Sequence, residues 1–184
     1  MFLSIIHLPF YTTDEEVIHA SLLSCFGITR EHGKILYKKE VSIVREKLSI
    51  TLLVQSQEMP FTSKGGTVLE SIEINPSFEE GQFYKLHATL RPTKKYDEKL
   101  HTIVKQDDRI KWVEEQIKKH GAKPLMISEK AKKKITFKES AEILAYDYEG
   151  VIKIANSEEF YKAYVDGIRQ GKAYGCGMLQ LQIA

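Results

Sequence analysis

Twice along the chain, runs with the two-residue alternation of a strand are interrupted by a stretch with the 3.6-residue period of a helix. FLSIIHL at 2–8 reads as a strand. TDEE follows, with Thr13 as N-cap and Glu16 three residues on, a capping box. Ile18, Leu22, Cys25 and Phe26 then share one helical face, and Gly27 stops the helix. Strand-like runs at about 34–44 and 48–55 come next, joined by a polar turn. TVLESIEI and FYKLHATLRP read as two more strands. In the second half, DDRIKWVEEQIKKHG predicts a helix capped by Asp107 or Asp108 and ended by Gly121. Strand-like runs follow at about 124–128, 134–138 and 142–154, then the helix SEEFYKAYVDGIRQ and the strand GMLQLQI.

That order is the β-α-β-β-α-β rhythm of a ferredoxin-like unit, used twice. The predicted fold is α+β: two tandem ferredoxin-like (RRM-like) domains, the first with a degenerate second helix. SQEMPFTSKGG, with Pro60 and the Gly65-Gly66 pair, reads as a loop where that helix belongs. The expected division is 1–92 for the first domain, 93–108 for a charged connection and 109–184 for the second, with its glycine-rich loop.

Among 184 residues, 42% are apolar and 28% charged, which supports a packed core and argues against disorder. The net charge is only +2, so the placement of charge says more than its sum. Cys25 and Cys176 are far apart and form no C-x-x-C pair, which points away from zinc and towards a reducing, cytosolic compartment. MFLSIIHLPF lacks a basic flank and runs into TTDEE, so it reads as a buried strand and not a signal peptide. No apolar run approaches the roughly 18 residues of a membrane span.

Three features could carry chemistry. GIRQGKAYGCG, from Gly167 to Gly177, is either a loop whose bare backbone approaches phosphates or a tight helix-to-strand connection. It is neither a Walker loop nor a Rossmann loop. EKAKKKITFK places Lys130, Lys132, Lys133, Lys134 and Lys138 within nine residues. On an extended segment Lys130, Lys132, Lys134 and Lys138 would share a face, a site for a polyanion or else a solvated edge. The histidines are His7, His19, His32, His87, His101 and His120, and no two have metal-ligand spacing on one helix. His19 stands beside the apolar face of the first helix, where an imidazole can exchange protons near neutral pH. Cys25 falls on the buried face and reads as core.

Several stretches, in order, resemble one family. They are MFLSII, VIHASLLSCF, LLVQSQEMP, FYKLHATLRPTKK, IKWVEEQIKKHGA, YEGVIKI and GIRQGKAYGCGMLQL. Together they resemble the CasE-type precursor-crRNA endoribonucleases of type I-E CRISPR systems, in the RAMP superfamily. The resemblance spans nearly the whole chain. It implies cleavage of the CRISPR repeat RNA at the 3′ base of its stem-loop by 2′-hydroxyl attack, without metal or other cofactor. It also implies retention of the crRNA among other Cascade subunits in the cytoplasm, away from membranes.

Within the resemblance His19 matches the family's catalytic histidine. Lys172, Gly175 and Gly177 match its closing loop, in which Arg169 and Gly171 also lie. These residues, with Arg91, Lys94 and the five lysines, are the expected RNA contacts. The family often carries a tyrosine three residues before the histidine. Here that residue is Glu16, which leaves Tyr11 or Tyr174 as an assisting group. Arg169 stands where the family usually has glycine. Competing readings are a hairpin-holding subunit without catalysis, a ferredoxin-like pair for a small ligand or protein, and, more weakly, a metal-dependent nuclease.

Overall fold

The computed structural model describes residues 1–27, 35–44, 47–138 and 141–184. His32 and the turn between the second and third strands lie outside the described residues. The chain divides into two compact units. The first comprises Met1–Asn75, Ile135–Ile143 and Lys172–Gly175. The second comprises Pro76–Lys134, Leu144–Gly171 and Cys176–Ala184.

In the first unit, β1 (Phe2–Leu8), α1 (Glu15–Ser24), β2 (Leu36–Val44), β3 (Lys47–Ser56) and β4 (Thr67–Glu73) follow in sequence. The sheet order is β2-β3-β1-β4, every pair antiparallel. This is the strand order of the ferredoxin-like unit. Alternate residues of β1 and β3 point inward, so Ile6 and Leu8 meet Ile50, Leu52 and Val54 in a core completed by Ile18, Leu22, Cys25 and Phe26 of α1 and its end. Between β3 and β4, where the degenerate second helix is expected, the described residues form no helix. The segment between β3 and β4 is tied to the end of α1 instead. Phe61 N–H donates to the Cys25 carbonyl at 2.8 Å, and the Ser24 and Ser63 hydroxyls meet at 2.7 Å. Gly65 permits this approach, because a Cβ there would lie 2.2 Å from Ser24 Oγ.

In the second unit the order is β5 (Phe83–Leu90), β6 (Thr93–Tyr96), β7 (Lys99–Thr102), α2 (Gln106–Lys119), β8 (Ala122–Phe137), β9 (Ala141–Ile154), α3 (Ser157–Asp166) and β10 (Leu179–Ile183). Its sheet runs β10-β5-β9-β8, the ferredoxin-like order again. Leu86, Ala88, Tyr148 and Ile152 of the sheet pack with Val113 and Ile117 of α2 and Phe160 of α3. The fold is therefore the tandem α+β arrangement that the periodicity predicts.

Several local expectations change. The unit boundary is near Pro76 and not at 92, because β5 pairs with β9 and β10 and is the first strand of the second sheet. The expected connection at 93–108 holds a hairpin and the start of α2. Asp97 and Glu98 both take left-handed backbone, φ 45 and φ 60, as a two-residue primed turn requires. The N-cap of α1 is Asp14, not Thr13; its carboxylate accepts from Glu16 N–H at 2.8 Å. Neither Asp107 nor Asp108 caps α2, which starts after Lys105; both lie in the first turn, where they favour the helix dipole.

One buried ion pair ties α2 to the sheet of the second unit. Arg109 donates from Nε and Nη2 to the two carboxylate oxygens of Glu129 at 2.7 and 2.6 Å. Both side chains are 9% exposed. The Tyr148 hydroxyl adds a bond to Glu129 at 3.0 Å, and the guanidinium lies 4.1 Å above the Tyr146 ring. Burial opposes ionisation of Glu129, but the bonds from Arg109 and Tyr148 outweigh it and lower its pKa. Burial first, then the Glu129 charge, pushes the Tyr148 phenol up.

Candidate active site

The first unit contains a cleft of about 290 Å³ lined by Glu16, His19, Lys138, Ala173 and Tyr174. Local chemistry explains how these residues arrive there. Asp14 starts α1, and Thr12 Oγ1 accepts from the Asp14 N–H at 3.1 Å to hold the entering chain. Ile18 and Leu22 face the core with no exposed surface, which leaves His19 half-buried on the flank. Asp14 also forms a parallel bridge with Thr136, near the end of β8. β8 stops at Phe137, and Lys138 turns left-handed with φ 50 into the cleft lining. Ala173 and Tyr174 belong to a short 3-10 helix, Lys172–Tyr174. The Tyr174 ring stacks on Phe137 at 4.9 Å between centroids and 28° between planes.

Behind the 3-10 helix, Tyr37 of β2 is fully buried. Its hydroxyl lies 2.9 Å from the Ala173 carbonyl and 3.0 Å from Glu15 Oε2. Glu15 is only 3% exposed, and Lys39 pairs with its other carboxylate oxygen. Buried charge is tolerated when it is paired and hydrogen-bonded, and both conditions hold here. Tyr37, Glu15 and Lys39 escaped the sequence reading, since nothing in their spacing points to a partner as remote as Ala173.

Not all the expected residues meet. His19, Tyr174 and Lys138 come together, and Glu16 joins them. Tyr11 is 44% exposed and does not line the cleft. Lys172 opens the 3-10 helix but is not among the lining residues. Gly171, Gly175 and Gly177 all have positive φ. A Cβ on Gly175 would sit 3.2 Å from the Tyr37 ring, and one on Gly177 2.7 Å from the Ile168 carbonyl. Those are the demands of a tight connection. Arg169 lies elsewhere, in the second unit, with its guanidinium 5.7 Å from the Trp112 ring. Lys94 is exposed on β6, and Arg91 follows β5 half-buried. The Nε of Arg91 is buried without a hydrogen-bond partner among the described residues.

The lysine segment is partly neutralised. Lys130, Lys132 and Lys134 are exposed at alternate positions of β8, as the extended pattern predicts, while Ile135 is buried. Lys138 does not share that face, because the strand ends before it. Lys130 pairs with Glu149 at 3.3 Å and Lys133 with Asp147 at 2.9 Å. Mutual repulsion along this segment is therefore smaller than five lysines imply. Three other histidines are hydrogen-bonded: His7 Nδ1 with Ser49 at 3.2 Å, His87 Nδ1 with Gln180 at 2.8 Å, and His120 Nδ1 with the Gln116 carbonyl at 2.6 Å, while the His101 ring meets Tyr96 edge-on. Cys25 is buried, its thiol 3.6 Å from the Gly66 carbonyl. Among the described residues, no group of three or more His, Cys, Asp or Glu gathers as a metal site would require.

An imidazole, a phenol and an ammonium on one concave surface can supply proton transfer and charge neutralisation to a phosphodiester. The family model described as CRISPR associated protein matches residues 1–182. The chain belongs to this CRISPR-associated protein family. Several solved structures share its fold. Thermus thermophilus Cse3, bound to an RNA representing a pre-cleavage complex, superposes with a TM-score of 0.83 at 16% identity, covering 99% of this chain and 100% of that one. The CRISPR-associated protein Cas6e of Escherichia coli K-12 gives a TM-score of 0.80 at 19% identity, covering 100% of both chains. A chain of the E. coli Cascade bound to a PAM-containing dsDNA target gives 0.65 at 16% identity, covering 98% of this chain and 99% of that one. At such identities the likeness establishes the fold. No curated protein sequence matches this CRISPR-associated chain. Among its described residues no helix is long and apolar enough to cross a membrane.

Proposed function

We propose that this protein is a metal-independent endoribonuclease that processes CRISPR precursor RNA at the 3′ base of the repeat stem-loop. The observation that carries the reading is the cleft that gathers His19, Tyr174 and Lys138. The name of one structural relative, CRISPR endoribonuclease Cse3 bound to a 19-nucleotide RNA, supports it. The 2′-hydroxyl before the scissile bond attacks the phosphorus. The proton leaves that hydroxyl, the P–O5′ bond breaks, and a proton reaches the departing 5′-oxygen. The products are a 2′,3′-cyclic phosphate and a 5′-hydroxyl. His19 is the general acid or base, Tyr174 the assisting group, and Lys138 neutralises phosphate charge. Glu16, where the family often has a tyrosine, lines the same cleft, so Tyr174 takes over that role and Tyr11 does not.

Lys132, Lys134 and, at the cost of its surface pair, Lys130 hold stem phosphates. A-form RNA hides its bases in a deep, narrow groove, so backbone and shape dominate such binding. Lys172 and the glycine loop add backbone contacts. Membership of Cascade, retention of the crRNA and a cytoplasmic location follow from the same reading.

The test is a repeat stem-loop RNA incubated with the protein in EDTA, beside a substrate with a 2′-deoxy nucleotide before the expected cut. A single product with a 5′-hydroxyl, absent from the deoxy substrate, is expected. Tight binding without a product from either substrate would instead make the chain a hairpin-holding subunit.

A further inference from the structure

The second unit has a cleft of its own, of about 380 Å³, that the proposed reaction does not use. Its lining includes Lys94 and Lys95 of β6, Lys119 and Trp112 of α2, and Arg169 after α3. Glu115 is the one carboxylate among the lining residues, so four cations face one anion there. The volume suits a single nucleotide, at the lower end of small-ligand sites.

The presentation of Arg169 is the informative detail. Its φ of 64 is left-handed, a conformation that glycine adopts freely and that a residue with a Cβ adopts only at an energetic cost. The backbone around it is firmly held. Ile168 is fully buried, and its N–H donates to the Gly177 carbonyl at 2.9 Å. The preceding Gly167 has φ 71 and the following Gly171 φ 93. Arg169 is thus fixed in an unfavourable conformation between two glycines, with its exposed guanidinium above Trp112. Strain kept at one residue of a charged cleft calls for a function that glycine could not perform. Trp112 is itself 8% exposed, so the face offered to a ligand is the guanidinium, backed by the ring. A guanidinium plane stacks on nucleobases, and the surrounding lysines neutralise a phosphate.

We infer that this cleft is a subsite for one nucleotide of single-stranded RNA, with its base on Arg169 and its phosphate among Lys94, Lys95 and Lys119. Glu115 is the charged acceptor available to a base amino group. The inference deepens the RNA reading proposed above and assigns the second unit a role in holding an unpaired flank.

Trp112 is the only tryptophan in the chain, so its fluorescence reports on this cleft directly. The experiment titrates the full-length protein with a 5′-phosphorylated tetraribonucleotide, with a mononucleotide and with inorganic phosphate. Arg169→Gly and Lys119→Gln are measured alongside, each with a melting curve. The expected result is a saturable change with the tetranucleotide, tighter than with the mononucleotide and absent with phosphate. Arg169→Gly should weaken it at least about five-fold, a typical loss for one stacked base, while its melting temperature stays level or rises. Lys119→Gln should weaken it with an unchanged melting temperature. Equal affinity for mononucleotide and tetranucleotide would still support a nucleotide site but make its ligand a free nucleotide. A response to phosphate alike, no response at all, or full affinity in folded Arg169→Gly would overturn the inference. Stem-loop cleavage by the wild-type protein is scored separately. A protein that cuts RNA without a Trp112 response keeps the nuclease reading and loses the subsite. One that binds the tetranucleotide but does not cut keeps the subsite and loses the nuclease reading.

Discussion

The Tyr37 hydroxyl lies 2.9 Å from the Ala173 carbonyl, a bond between residues 136 apart in sequence. It joins β2 to the 3-10 helix that supplies Ala173 and Tyr174 to the His19 cleft. One hydroxyl proton serves two acceptors here, since Glu15 Oε2 is 3.0 Å away. Tyr37→Phe removes that proton and leaves the ring in place. The loss should destabilise the fold by about 1–3 kcal/mol, because buried acceptors lose a donor. Cleavage should slow in single-turnover assays with RNA affinity nearly unchanged, since Tyr37 positions groups and does not touch substrate. Equal losses of affinity and rate would mean that Tyr37 acts only through overall stability.

Tyr174→Phe keeps the stack on Phe137 and deletes only the phenolic oxygen. With Tyr174 assisting His19, the cleavage rate should fall about 10²-fold, the lower end for acid–base groups. Tyr11→Phe should leave the rate unchanged, because Tyr11 is exposed away from the cleft lining. Rate constants at saturating protein for the two variants decide between the tyrosines.

The lysines of β8 should separate by their partners. Lys132→Ala should lower the slope of log affinity against log salt by about one unit, as expected of a phosphate contact. Lys133→Ala should leave the slope nearly unchanged and reduce stability instead, because Lys133 is bonded to Asp147 at 2.9 Å. Filter binding over a salt series and thermal melts check both.

How much of this could be read from the sequence depended on range. Ile18, Leu22, Cys25 and Phe26 share a helical face in sequence and are buried together in the core. Local periodicity therefore sufficed for the tandem fold and for His19 at the edge of its helix. Strand pairing is not local. FYKLHATL alternates as well for one sheet as for the other, and only its bonds to β9 and β10 put it in the second. The hairpin at Asp97-Glu98 was missed because neither residue is glycine, the usual marker of a primed turn. The strand-face pattern was extended one step too far, to Lys138, where the left-handed turn redirects the side chain. Glu15 and Tyr37 passed unnoticed because their role rests on Ala173, far along the chain.

The Arg109–Glu129 pair should contribute to the acid response of the second unit. Its folded pKa is lowered, so the Glu129 carboxylate contributes stability above its unfolded pKa near 4.5, and that contribution is lost as pH falls through the folded value. Arg109→Met strands a buried carboxylate and should cost about 3–5 kcal/mol at neutral pH. It should also flatten or reverse the loss of stability below pH 4.5, because protonating an unpaired Glu129 relieves the fold. Urea unfolding at a series of pH values measures both effects. A variant with wild-type acid dependence would show that other carboxylates dominate.

In the proposed mechanism His19 carries out proton transfer in RNA cleavage. The direct measurement is the single-turnover rate of His19→Ala on a repeat stem-loop RNA, in EDTA, with RNA affinity measured in parallel. The expected rate is reduced by about 10²- to 10⁴-fold with affinity kept within a few-fold. Cleavage by the folded variant at the wild-type rate would contradict it.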